Sequence, residues 1–136
     1  MFFFKRKRKS LQSFDLSKDQ DQVISKEILA ESLFSGPEKY NCAQAILITF
    51  KSRFSITDAE IVSARSNGYG KVQGGLCGAL YAGKYLLDDR IKSDNLTREF
   101  ESKAGSSKCK KILKLKLLTC KECVALTARL VDEYSS

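Results

Sequence analysis

The sequence predicts an all-α protein, a single compact bundle of five to seven helices, and three observations lead there. Apolar residues recur at three- and four-residue steps in several segments. Two Thr-x-x-Glu capping boxes stand before such segments, Thr57-Asp58-Ala59-Glu60 and Thr119-Cys120-Lys121-Glu122. The third observation is that no pair of alternating apolar runs joined by a turn signal appears anywhere in the 136 residues.

The elements follow in chain order. Residues 1–20 are polar and basic without a sustained period, which predicts a tail, with the helical domain spanning 21–136. The apolar positions Ile24, Ile28 and Leu33 give a first helix from about Asp21 that ends at Ser35-Gly36-Pro37. Asn41 caps a second helix with the stripe Cys42, Ala45, Ile46, Thr49 and Phe50, which puts Cys42 in the first turn on the core face. The Thr57 box opens a third helix through Ile61 and Val62 that ends at Asn67-Gly68. Gly75, Ala79 and Gly83, four residues apart, predict a small-residue face that lets another backbone approach, on a central and crowded helix with Cys77 in its first turn. That face also suits self-association into a homodimer, although packing inside the chain is the simpler use. After Asp88-Asp89, a helical piece surrounds Leu96 to Phe100 and breaks at Gly105. Ser106 or Ser107 then caps a helix holding Cys109, Ile112 and Leu113. Lys114-Leu115-Lys116-Leu117 alternates and is compatible with a short strand, and the Thr119 box starts a last helix with the stripe Cys120, Cys123, Val124, Thr127, Leu130, Val131 and Tyr134.

Composition narrows the chemistry. The chain has five cysteines and no histidine, so the commonest general base and metal ligand is missing and a histidine-bound or C-x-x-C-H-attached covalent haem is excluded. Sulfur is the conspicuous reactive element. Four thiols, Cys42, Cys77, Cys109 and Cys120, fall where helices begin, and the partial positive charge there favours thiolate. They are the candidate catalytic residues and, if a cluster is bound, the candidate iron–sulfur or Cys₄ zinc ligands. The expectation is that the four lie close together, with at least one pair within disulfide reach and at least one thiol titrating below the free value of about 8.5. Cys123 completes a C-x-x-C with Cys120 and is expected to matter less. The plain alternative is that the cysteines are small buried hydrophobes.

Gly68-Tyr69-Gly70-Lys71-Val72-Gln73-Gly74 is not a nucleotide loop. Gln73 stands where G-x-G-x-x-G needs glycine, no strand precedes it, and a G-K-[ST] ending is absent. The net charge of +8 is also less than a nucleic-acid signal: Lys5-Arg6-Lys7-Arg8-Lys9 supplies five of those charges, leaving +3 for residues 10–136. No specific nucleic acid is indicated. The basic tail suits contact with an anionic surface, and the lysines from Lys103 to Lys121 suit an acidic partner. An odd cysteine count and the lack of an apolar h-region after Met1-Phe2-Phe3-Phe4 predict a cytoplasmic protein with reduced thiols.

Tyr40-Asn41-Cys42-Ala43-Gln44-Ala45, then Gly74-Gly75-Leu76-Cys77-Gly78-Ala79-Leu80, then Phe100 and Gly105 before Cys109, and finally Cys120 with Val124 and Ala128, resemble the C_GCAxxG_C_C family, to which a redox role is ascribed. The resemblance spans about residues 25–134. It implies a helical fold similar to a domain of split-Soret cytochromes, with the family cysteines on Cys42, Cys77, Cys109 and Cys120 and a cofactor contact at Gly74, Gly75 and Gly78. The chain departs from the family pattern at Gly68-Tyr69-Gly70, where a fuller glycine run is usual, and at Ala104-Gly105, where Phe-Gly is usual. The function expected is electron or thiol exchange with a redox partner, by dithiol/disulfide cycling or iron–sulfur ligation. The competing expectation is a structural or binding module, with zinc or metal-free, that meets an anionic partner through its basic surface.

Overall fold

The computed structural model describes residues 24–68 and 70–136, so the expected tail of residues 1–20 lies outside the described residues. Eight α-helices occupy this span: α1 (Lys26–Phe34), α2 (Cys42–Thr49), α3 (Lys51–Phe54), α4 (Asp58–Ser63), α5 (Gly78–Leu86), α6 (Arg90–Ala104), α7 (Cys109–Leu115) and α8 (Cys120–Ser135). Two short 3-10 turns, Ala64–Asn67 and Gln73–Gly75, connect α4 to α5. The bundle is therefore all-α as predicted, with one helix more than the range of five to seven. The additional one is α3, a single turn that follows α2 directly and stops at Ser55 in the left-handed region, φ 56°.

Several helix starts are set by local hydrogen bonds. The Ser25 hydroxyl accepts from the Ile28 amide at the head of α1, and reciprocal capping boxes close α4 at Thr57/Glu60 and α8 at Thr119/Glu122. A third box, Asn41/Gln44, opens α2. The alternating run Lys114–Leu117 is not a strand: α7 continues to Leu115 and Lys116 ends it with φ 59°. Ser106 and Ser107 lie ahead of the α7 cap, which is Lys108, and the Ser106 hydroxyl accepts from the Lys108 amide. Among the described residues the only β pairing outside helices is an isolated antiparallel bridge, Leu76 with Lys108.

Three helices share the centre. α8 packs against α1, α2, α5 and α6; α2 packs against α1, α5 and α8; and α5 packs against α2, α6 and α8. α2 is buried along almost its whole length, and its Ile46 lies with Phe50, Leu80, Leu96, Phe100, Val124 and Leu130 in the core. The expected central role is thus shared by α2 and α8 with the Gly/Ala helix. Gly75 sits outside α5, in the 3-10 turn with φ +78° and no neighbour within 4 Å of a would-be Cβ. The close approach is made by Ala79 and Gly83. A Cβ on Gly83 would stand 2.8 Å from Thr127 Cγ2 and 2.9 Å from Leu96 Cδ2, so the small-residue face is covered by the chain's own α6 and α8.

Candidate functional site

All five cysteines line one cavity. Cys42, Cys77, Cys109, Cys120 and Cys123 surround it together with Gly78, Ile112 and Leu113, and its volume of about 20 Å³ is room for roughly one water-sized sphere. The geometry follows from four helix starts brought to one place. Cys42, Cys109 and Cys120 are the first residues of α2, α7 and α8, and Cys77 is the N-cap of α5. Cys123, one turn into α8, faces the same space and is 2% exposed. The five are thiols; Cys42, Cys77, Cys109 and Cys123 are buried and Cys120 is partly exposed.

Local bonds hold the Cys42, Cys77, Cys109 and Cys120 segments there. Asn41 both caps α2 and donates from Nδ2 to the Ala64 and Arg65 carbonyls, at 3.2 and 2.9 Å, while the Gln44 side chain donates to the Ile61 carbonyl at 3.0 Å. These bonds tie the start of α2, and Cys42 with it, to the end of α4. The Cys77 amide donates to the Ser107 carbonyl at 2.8 Å beside the Leu76–Lys108 bridge, which brings the Cys77 and Cys109 segments side by side. Lys108 Nζ adds a 2.7 Å bond to the Gly74 carbonyl. The Thr119/Glu122 box fixes Cys120 at its helix start.

Glycines make the space. A Cβ on Gly78 would lie 2.6 Å from Cys42 Sγ and closer still to the Asn67 carbonyl oxygen, and one on Gly70 would lie 3.2 Å from Cys109 Cβ. Of the three glycines expected at a cofactor, Gly78 lines the cavity, whereas Gly74 and Gly75 lie in the preceding turn with φ +82° and +78°. Glycine is required there by backbone conformation.

Three of the four expected thiols, Cys77, Cys109 and Cys120, are raised rather than depressed. Cys77 is held well above the usual thiol range by its hydrogen bond with the Cys123 thiol and by burial, while the Leu80 and Ala79 amides at the start of α5 pull the other way. Burial pushes Cys109 up, with the nearby charges of Cys77, Cys120 and Cys42 adding to it. Burial likewise raises Cys120, followed by the effects of Cys42 and Cys77. The helix-terminus effect is present at Cys77 but smaller than the Cys123 hydrogen bond and desolvation. Cys123, left outside the expected four, lines the cavity and touches Cys77; the C-x-x-C spacing is the signal that places it near Cys120. Sequence reasoning also passed over Gly70, Ile112 and Gln44, which complete the walls and the scaffold.

Among the described residues, no group of three or more Cys, Asp or Glu side chains is arranged to hold a metal ion. A second cavity of about 110 Å³, lined in part by Glu60, Tyr81 and Tyr85, shares no lining residue with the thiols. No helix among the described residues is long and apolar enough to cross a membrane.

An all-helical domain with several thiols converging from helix starts defines a cysteine-centred protein class. A family model described as "Putative redox-active protein (C_GCAxxG_C_C)" matches residues 40–134, and the chain belongs to that family. No curated protein sequence and no solved structure matches it.

Proposed function

We propose that the protein is a thiol redox carrier whose five-cysteine cavity exchanges two electrons with a partner by cycling between dithiol and disulfide. The observation that carries this is the convergence of all five thiols on one apolar cavity, with Cys77 and Cys123 in hydrogen-bond contact. Cys120, the partly exposed member, is the entry point. Its thiol loses a proton and the thiolate attacks one sulfur of a partner disulfide; a Cys120–partner bond forms, the partner's S–S bond breaks, and its leaving thiolate takes up a proton. Cys123 then loses its proton and attacks the Cys120 sulfur, releasing the second partner thiolate, which is protonated in turn. Two protein thiols end as one disulfide and one partner disulfide ends as two thiols. Residues three apart on a helix have Cα atoms within the disulfide range of about 4.4–6.8 Å, so α8 needs little distortion. In the other direction the same steps oxidise a partner dithiol.

In this reading the chemistry runs on the sulfurs themselves, with metal ligation as the competing outcome of the test. Equilibration of the purified protein in dithiothreitol buffers of graded potential, followed by alkylation and mass spectrometry, tests the proposal. The expected result is loss of two alkylatable thiols in one two-electron step, located by peptide mapping to cavity cysteines, and abolished in Cys120→Ser. Five alkylatable thiols at every potential would refute it. Stoichiometric metal in anaerobically purified protein would replace it with ligation.

A further inference from the structure

The exchange chemistry leaves unused the most unusual surface of the molecule, the one around α7. Seven lysines and no Asp or Glu lie between Lys103 and Lys121, whereas the chain outside this stretch and Lys5–Lys9 carries a net −4. The basic character is therefore local. All seven lysines are exposed, and Lys110, Lys111 and Lys114 line one open groove. The ion pairs among the described residues, Lys51–Asp58, Arg53–Asp132, Arg90–Asp94 and Arg129–Glu133, all lie elsewhere.

Interleaved with these lysines are three leucines in water: Leu113, Leu115 and Leu117 are 49%, 44% and 59% exposed. Leu113 is also a wall of the thiol cavity, and α7 begins with Cys109, so the patch borders the reactive sulfurs. An apolar centre within a charged rim is the anatomy of a protein–protein interface. A bare polyanion such as nucleic acid is gripped mainly through phosphate contacts and has no use for exposed leucines.

We propose that this lysine and leucine face docks an acidic partner protein and presents the partner's disulfide to Cys120. The inference rests on the thiol-exchange reading. Once docked, the partner's S–S bond is broken as the Cys120–partner bond forms, with the proton balance given above. Opposite charge raises the encounter rate and orients the disulfide, and the leucines cover the cavity mouth against water.

The test uses the full chain and three synthetic peptides, each with one intrapeptide disulfide, flanked by Glu, Gln or Lys. At about 0.02 M salt the Glu peptide is expected to be reduced about tenfold faster than the Gln peptide. The advantage vanishes near 1 M salt, where charges are screened beyond about 3 Å. Lys110→Glu/Lys111→Glu/Lys114→Glu, checked for helicity, shifts the preference to the Lys peptide. Binding of the reduced and alkylated Glu peptide, followed by fluorescence anisotropy, reads docking separately from exchange. If the Gln peptide is not reduced but the alkylated Glu peptide binds with the same salt and charge-reversal dependence, exchange fails while docking stands. Equal rates and binding for the three peptides, or a Glu preference that survives in the triple variant, overturn the docking proposal. Binding to phosphatidylserine vesicles or duplex DNA without any preference among the peptides overturns it as well.

Discussion

Gly78→Ala is the most direct probe of how the thiol cavity is built. The new methyl carbon would stand 2.6 Å from Cys42 Sγ, nearer still to the Asn67 carbonyl oxygen, and 3.3 Å from Gly68 Cα. Ordinary carbon contacts are about 3.5–4.0 Å, so the sulfur has to retreat by about 1 Å. A side-chain sulfur can rotate away. The Asn67 carbonyl cannot, because it belongs to the 3-10 turn that Asn41 anchors through the neighbouring Ala64 and Arg65 carbonyls. Overpacking of this kind costs about 1–3 kcal/mol, and the helix preference for Ala over Gly returns at most about 1 kcal/mol. The expected net loss is about 1–2 kcal/mol, read as a fall of about 0.5–1 M in the urea midpoint. Cys42, displaced from the cavity, should alkylate faster in the native protein. Gly75→Ala serves as comparator: nothing lies within 4 Å of its Cβ but φ is +78°, so it should cost about 1 kcal/mol through backbone strain alone and leave Cys42 unchanged. A Gly78→Ala protein within about 0.5 kcal/mol of wild type, with unaltered Cys42 reactivity, would refute the close approach of α5 to the Cys42 sulfur.

Ala79→Leu, at a position with no solvent exposure, should lower stability by about 1–3 kcal/mol in urea denaturation; an equally stable variant would mean that the contact between α5 and its neighbours is loose. Because Cys77 is raised in the folded state, the unfolded chain releases that proton first as pH rises. Its contribution is complete below about pH 8.5 and is lost at higher pH, with a slope approaching about 1.4 kcal/mol per pH unit. Urea midpoints between pH 7 and 10.5 should show this fall, and Cys77→Ala should reduce it. Deleting residues 1–20, which offer no apolar stripe, should move the melting temperature by no more than a few degrees.

Much of the fold was legible because its signals are short-range. Thr57, Thr119 and Asn41 announce helix starts by side-chain chemistry that acts within three residues, and each caps the helix expected of it. Where no such signal exists the reading fell short. Lys51-Ser52-Arg53-Phe54 is too short to carry a stripe, so α3 went unseen. The first half of α6, Arg90 to Asn95, is largely polar and faces water, which hid a start that Asp89 caps through the Ile91 amide. The site was legible in its members but not in its shape. That Cys123 touches Cys77, that Gly78 yields to Cys42 Sγ, and that Leu76 pairs with Lys108 are facts of tertiary contact between segments tens of residues apart, and no local pattern encodes them.

The thiol chemistry turns on the same distinction. A single helix start stabilises a thiolate by about 0.3–1 kcal/mol, less than one pKa unit, so each cysteine taken alone reads as activated. Brought together, the same thiols are largely buried and face one cavity. Burial disfavours the charged form, and each neighbouring sulfur adds to that, as Cys77, Cys120 and Cys42 do at Cys109. The first proton to leave therefore makes the second harder to remove, an effect that adds to the burial that chiefly raises Cys109 and Cys120. With their thiols raised, Cys77, Cys109 and Cys120 rest protonated at neutral pH. On the thiol-exchange reading proposed above, such a resting state would leave Cys120, the partly exposed member, to meet a partner at the rim while the buried Cys77 thiol keeps its proton.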